Sequence, residues 1–195
     1  MKNRIHNRWS TITLGALLAL SLGMFFALDP LDMRPAMAEE GQAAAAEEAP
    51  MLPAWADVEL VDAVSGETFR ISDFAGQPIL VESFAVWCSI CLRQQKEMAK
   101  LVESEGEAII HVSLDTDPNE DLIAVRQHAE RHEFSWLFAV APVELTQSLI
   151  EEFGLTVVNA PRAPVILIGE DGSARLLPNG VKTSDELLEE IEGVG

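Results

Sequence analysis

Beyond residue 54 the chain alternates short apolar runs with stretches of helical periodicity. Val58–Asp62 and Thr68–Ile71 are short, β-prone runs on either side of Ser65-Gly66, a pairing that predicts a β-hairpin. Ile79–Phe84 is apolar except for Glu82 and Ser83, which predicts a buried strand. A helical pattern over Leu92–Val102 follows, giving a helix from about residue 88 to Glu105. Ala108–Leu114 predicts the next strand. The sequence Asp117-Pro118-Asn119-Glu120 supplies an N-cap, a proline at the first helical position and an acid at the third, opening a helix that reaches about His132. Ser135–Val140 predicts a short extended segment, and Pro142 starts a helix that Gly154 ends. Val165–Ile168 and Ala174–Leu177 flank Asp171-Gly172, a second hairpin signal. A capping box, Thr183-x-x-Glu186, opens the last helix. Strands and helices that alternate in this way predict an α/β sheet with helices on both faces.

The first 54 positions follow another pattern. Lys2, Arg4 and Arg8 precede an uncharged apolar run, Thr11–Leu28, and Ala36-Met37-Ala38 offers a small-x-small cleavage site. Residues 1–38 therefore read as a signal peptide or, uncleaved, as a membrane anchor. Either outcome puts the rest of the chain outside the cytoplasm, in a periplasmic or other extracytoplasmic compartment. Residues 39–54, rich in Ala, Glu and Pro, read as a flexible linker. Residues 55–195 are enough for one domain with one core. Residues 1–38 hold four basic and two acidic side chains, so of the formal net charge of −19 the remainder carries −21. Nucleic acid and anionic lipid are poor partners for such a surface, whereas a basic partner would be steered toward it.

The only two cysteines, Cys88 and Cys91, lie three positions apart between the Ile79–Phe84 strand and the helix. A helix N-terminus presents unpaired N–H groups and partial positive charge, which favour the reactive thiolate. The spacing also lets the sulfurs join. Three readings compete. A structural disulfide would close too small a loop to restrict the unfolded chain much. A Cu(I) site would need Cys88, Cys91 and one of His6, His111, His128 or His132, none in ligand spacing with the pair. A redox-active dithiol uses the pair as it stands. Haem attachment is excluded, because Leu92 rather than His follows Cys91.

Three segments carry a resemblance. They are Phe84–Cys91, with its Trp87-Cys88-Ser89-Ile90-Cys91 motif, the lead-in Asp73–Pro78, and Ala163–Gly172. Over about Trp55–Glu192 the chain resembles the thioredoxin superfamily, and within it the exported TlpA-like and ResA-like thiol–disulfide oxidoreductases. The resemblance implies a thioredoxin fold, with a central mixed β-sheet flanked by helices and an N-terminal β-hairpin extension. It implies disulfide exchange with protein thiols, more as a reductant than an oxidant, supplied by a membrane-bound electron donor. Apocytochrome c, a cuproprotein or another thiol protein would fit as partner. Cys88 would attack and Cys91 resolve. Pro164, in preference to Pro161, would be a cis-proline shaping the substrate groove, with Ala163 offering main-chain hydrogen bonds and Trp87 packing beside the dithiol; the plainer reading makes Pro164 an ordinary trans proline starting an edge strand.

Glu82 stands where thioredoxins hold a buried aspartate, and His111 where they hold its neighbouring lysine. The expectation is a Glu82–His111 pair behind Cys91 that relays its proton. The competing reading puts Glu82 at a hydrated edge and leaves His111 a strand residue. Two departures bear on the reduction potential: Ile90 stands where exported relatives often have proline, and Gln94 where they often have glutamate. Arg93 and Lys96 read as solvated helix face. The cysteine pair is the only redox centre available, so no cofactor and no resident metal are implied. Two further readings stay open: a Cu(I) metallochaperone using the same cysteines, and a non-catalytic binding module on the same scaffold.

Overall fold

The structure is a computed structural model and describes residues 50–194. The expected signal or anchor, and most of the expected linker, lie outside the described residues. Among the described residues no helix is long and apolar enough to cross a membrane.

Two short strands, β1 (Leu60–Val61) and β2 (Thr68–Phe69), pair antiparallel as the N-terminal hairpin. The Asp62 carboxylate builds its turn by accepting the Ser65 N–H and hydroxyl, at 2.8 and 2.6 Å. Its other oxygen accepts the Phe138 N–H, which ties the hairpin to the main sheet. Five strands form that sheet: β3 (Ile79–Phe84), β4 (Ile110–Asp115), β5 (Leu137–Val140), β6 (Val165–Ile168) and β7 (Ala174–Leu176). Their order is β5-β4-β3-β6-β7. β3, β4 and β5 run parallel, whereas β6 and β7 are antiparallel additions. The sheet is thus mixed, with β3 at its centre and buried along its whole length, as its apolar run requires. Ahead of the hairpin, Met51 turns its carbonyl toward Gly172, where any Cβ would meet it at 2.7 Å, and Leu52 packs against the core.

Among the described residues four α-helices cover the sheet: α1 (Ser89–Glu105), α2 (Leu122–His132), α3 (Val143–Phe153) and α4 (Ser184–Glu192). One face packs Ile79, Val81, Val112 and Leu114 against Leu145 and Leu149 of α3. On the other face Leu80, Val165 and Leu167 meet Met98 and Leu101 of α1 and Leu187 of α4. Phe84 and Phe138 enclose both cysteines with Val125 and Ala129 of α2. Strand alternation puts Leu80, Glu82 and Phe84 on this second face, beneath α1.

The start of α2 departs from expectation. Asp121, not Asp117, is the N-cap, its Oδ1 accepting the N–H groups of Ile123 and Ala124. Asp117 instead closes an Asx turn on Asn119. That turn keeps residues 117–120 outside the helix and aims their carboxylates at the cysteine loop.

Candidate active site

Cys88 is the N-cap of α1, and its sulfur accepts the Cys91 N–H at 3.1 Å. The pair is joined as a disulfide, with the Cα atoms 5.3 Å apart. In the reduced form that N–H and the helix N-terminus favour a thiolate on Cys88 over one on Cys91. Cys91 has the opposite setting: its sulfur lies 3.2 Å from the Ala160 carbonyl oxygen, which suits a thiol and repels an anion. Cys88 is 3% exposed and Cys91 wholly buried, so the expected order holds but neither sulfur stands free.

Trp87 is 62% exposed. Its indole N–H donates to Asp117 at 2.7 Å. The neighbouring Val86 N–H donates to Glu120, also at 2.7 Å. The acidic loop after β4 therefore grips the two residues ahead of Cys88. Behind it, burial and the adjacent Glu120 carboxylate push Asp115 up to about 7, although the Asp117 N–H pulls the other way. A groove of about 500 Å³ opens between Trp87, the Thr116–Pro118 loop and residues 155–161, with Ala160 in its wall.

Glu82 is wholly buried on β3. In register it faces Ser113 of β4 on one side and Val165 of β6 on the other. Burial raises its carboxyl to about 8, and the Gln95 amide, the Ser113 hydroxyl and the Lys182 charge each offset part of that rise. Ser113 donates to Oε2 at 3.0 Å and accepts the Trp136 indole N–H at the same distance. The Gln95 amide acts on the carboxyl by proximity and not through a formed hydrogen bond, since neither Glu82 Oε1 nor Gln95 Nε2 has a partner within bonding distance. Gln95 follows Cys91 by four residues, so the α1 side chain that acts on the Glu82 carboxyl lies on the same helix face as the buried sulfur, one turn along. The hydrated-edge reading of Glu82 is thereby overturned.

The expected Glu82–His111 pair does not form. His111 aligns with Leu80, packs on Trp136, and leaves both ring nitrogens unpartnered. Burial depresses it to about 4, so it carries no charge to offer near neutral pH. The cation near Glu82 is Lys182, which is buried just ahead of α4. Sequence reasoning missed it, because a lysine beside a capping box resembles any solvated loop residue. Burial brings Lys182 down to about 8, while Glu82 and Glu186 pull it back up.

Pro164 is also corrected. No cis peptide bond occurs among the described residues, so the Ala163–Pro164 bond is trans. The chain reverses through Ala163 instead, which adopts the left-handed conformation (φ 47°, ψ 57°) after a 3-10 turn over Ala160–Arg162. The Ala163 N–H donates to Ala160 O at 2.9 Å, and its carbonyl accepts from Lys182. The Pro164 carbonyl accepts the Ser83 N–H, so this segment joins β3 directly. Among the described residues no group of three or more His, Cys, Asp or Glu side chains is placed to hold a metal ion.

The family model described as Redoxin matches residues 44–187. The chain belongs to the Redoxin family. It is similar to the thiol-disulfide oxidoreductase ResA of Geobacillus thermodenitrificans, at 20% identity over 67% of this chain and 71% of the relative. Among solved structures, a thioredoxin-family thiol:disulfide interchange protein from Chlorobium tepidum superposes with a TM-score of 0.62. Its identity is 16%, over 75% of this chain and 96% of that one. A secreted Mycobacterium tuberculosis disulfide oxidoreductase gives 0.54 at 15% identity, over 71% and 97%. The superpositions show that this Redoxin chain has the thioredoxin fold expected from its sequence.

Proposed function

We propose that this protein is an exported thiol–disulfide oxidoreductase that reduces disulfides in protein partners. The carrying observation is the unequal setting of the two sulfurs: Cys88 at a helix N-terminus with an amide donor, Cys91 buried against a carbonyl. That asymmetry suits a nucleophile followed by a resolving thiol. The Cys88 thiolate attacks a substrate disulfide, forming a mixed disulfide and expelling one substrate sulfur as thiolate. Cys91 loses its proton to a neighbouring base, for which the buried Glu82 carboxyl beneath α1 is the candidate, and attacks the Cys88 sulfur. The second substrate thiolate then leaves, two electrons have passed to the substrate, and the Cys88–Cys91 disulfide remains. A dithiol donor of the same chemical class must restore the reduced form.

The reducing direction is supported by what surrounds the sulfurs. A strongly oxidising couple needs a stabilised thiolate in its reduced form. Here Cys88 has one amide donor within an apolar cluster, Asp117 and Glu120 hold negative charge on its loop, and Cys91 faces an oxygen. Export is supported by the N-terminal sequence pattern and by the secreted relative. The test is the reduction potential of the Cys88–Cys91 couple in a thiol redox buffer, read by alkylation. A value near or below about −270 mV, the thioredoxin range, is expected. A value near about −120 mV, where strong periplasmic oxidants lie, would make the protein a disulfide donor.

A further inference from the structure

Lys182 has more polar contacts than its place in a loop requires. An ammonium has three protons to donate. All three are used, on the carbonyl oxygens of Ala163 at 2.5 Å, Gly180 at 2.7 Å and Pro178 at 3.3 Å. Its backbone is held as firmly. The Lys182 N–H donates to Gln94 Oε1 at 2.7 Å, and Gln94 Nε2 donates back to the Lys182 carbonyl at 3.1 Å. Gln94 is on α1, three residues beyond Cys91. One lysine thus joins the dithiol helix to the segment ahead of Pro164. The residue it grips, Ala163, is the one non-glycine besides Glu133 that holds a positive φ among the described residues. A non-glycine persists in that conformation only where its surroundings over-determine it.

We propose that Lys182 is a positioning residue of the dithiol site, fixing the Ala163 carbonyl with its ammonium while holding its charge against the buried Glu82 carboxyl. The inference rests on the oxidoreductase reading and assigns a second role within that site. A buried carboxyl next to an opposite charge ionises more readily than one without it. Lys182 thereby keeps Glu82 able to take a proton from Cys91, and any displacement of the Ala163 segment is felt at the carboxyl. The other titratable groups around Glu82 are His111 and Asp115 on β4 and His128 beyond Gln95 on α2, with Glu186 facing Lys182. Both histidines are neutral near pH 7, and Asp115 adds only negative charge. Lys182 is held on the Ala163 carbonyl, two residues ahead of Val165, the strand partner of Glu82, so among the described residues its charge is the positive one placed where β6 begins beside the Glu82 strand.

The test reads Glu82 directly, by carbon-13 NMR of its side-chain carboxyl in the oxidised full chain, so the cysteines do not titrate. Lys182→Met removes the charge, Lys182→Gln removes it but keeps an amide donor for the carbonyls, and Lys182→Arg retains it. The expected result is an upward move of the Glu82 midpoint by about one pH unit or more in Lys182→Met and Lys182→Gln. Lys182→Arg should move it less than half as far. In the reduced protein the pH profile of disulfide exchange should shift with the midpoint, and Lys182→Gln should add no shift once Glu82→Gln is present. An unmoved midpoint in a folded neutral variant, or an equal shift in Lys182→Arg, would overturn the proposal. Should Lys182→Met fail to fold, Lys182→Gln carries the same measurement. If the wild type catalyses no exchange, the oxidoreductase reading fails alone, since the carboxyl titration needs no turnover.

Discussion

At the scale of single residues, the site depends on polar side chains placed where the pattern of apolar positions would put none. Glu82 interrupts an apolar strand, and burial raises it to about 8, so at neutral pH only its minor ionised fraction can accept a proton. If it takes the Cys91 proton, Glu82→Gln should slow resolution of the mixed disulfide about tenfold or more at neutral pH. Stopped-flow exchange with a model disulfide across pH 6–9 checks this, and an unchanged rate throughout would remove Glu82 from the mechanism. Gln94 gives a second case. Its amide both accepts from and donates to Lys182, which a glutamate side chain cannot do when ionised. Gln94→Glu should therefore cost about 1–3 kcal/mol in a urea denaturation at pH 7, through the unsatisfied Lys182 carbonyl. Cys88, Cys91 and Glu82 were legible in the sequence because their chemistry contrasts with neighbouring positions. Lys182 was not, since its burial arises from Ala163, nineteen residues earlier, and Gln94, on another element.

At the scale of elements, α1 and the loop between β4 and α2 determine how the cysteines are presented. The strand–Cys-x-x-Cys–helix order could be read directly, and Cys88 caps α1 as that order requires. The loop was harder to read. Asp117 and Asp121 are both competent N-caps, and local sequence favoured the first because a proline follows it. Tertiary contact reverses the choice: Asp117 is engaged by the Trp87 indole and Glu120 by the Val86 amide, so the helix begins only at Leu122. Asp117→Ala should then release Trp87 without unfolding the loop. The expected signature is faster solvent exchange of the Trp87 indole N–H by nitrogen-15 NMR, with global stability changed by less than about 1 kcal/mol, since the bond is exposed. The trans Pro164 belongs at this scale as well. Motif order located the segment correctly, but its reversal is made by a left-handed Ala163 flanked by tertiary hydrogen bonds from Lys182 and Ser83, and no local pattern announces those.

At the scale of the whole molecule, the buried titratable groups make opposed contributions whose sum can be worked out. Glu82 and Asp115 have folded values raised to about 8 and about 7. The folded state then retains protons that the unfolded chain releases above about pH 4, so each group's stabilising contribution is lost as pH rises toward its folded value. His111 and His128 are both lowered to about 4, so the unfolded chain binds protons below about 6.5 that the folded state refuses, and stability is lost as pH falls through that window. Between about pH 4.5 and 6.5 the two carboxyls and two histidines roughly cancel. Above 6.5 the histidines no longer contribute, and the carboxyls alone lower stability until about pH 8. Beyond that Lys182, lowered to about 8 by burial, reverses the slope, because the unfolded chain now binds the extra proton. Urea denaturation of the oxidised protein should accordingly give a plateau in mildly acid solution. Stability should then fall by on the order of 2 kcal/mol to a minimum near pH 8. Glu82→Gln should remove most of that fall and turn the plateau into a rise of about 1.4 kcal/mol per pH unit, because one carboxyl then opposes two histidines. A wild-type stability that rises from pH 5 to about 6.5 and shows no deep minimum near pH 8 would mean that Glu82 ionises freely in the folded protein, and the core would then have to hydrate it.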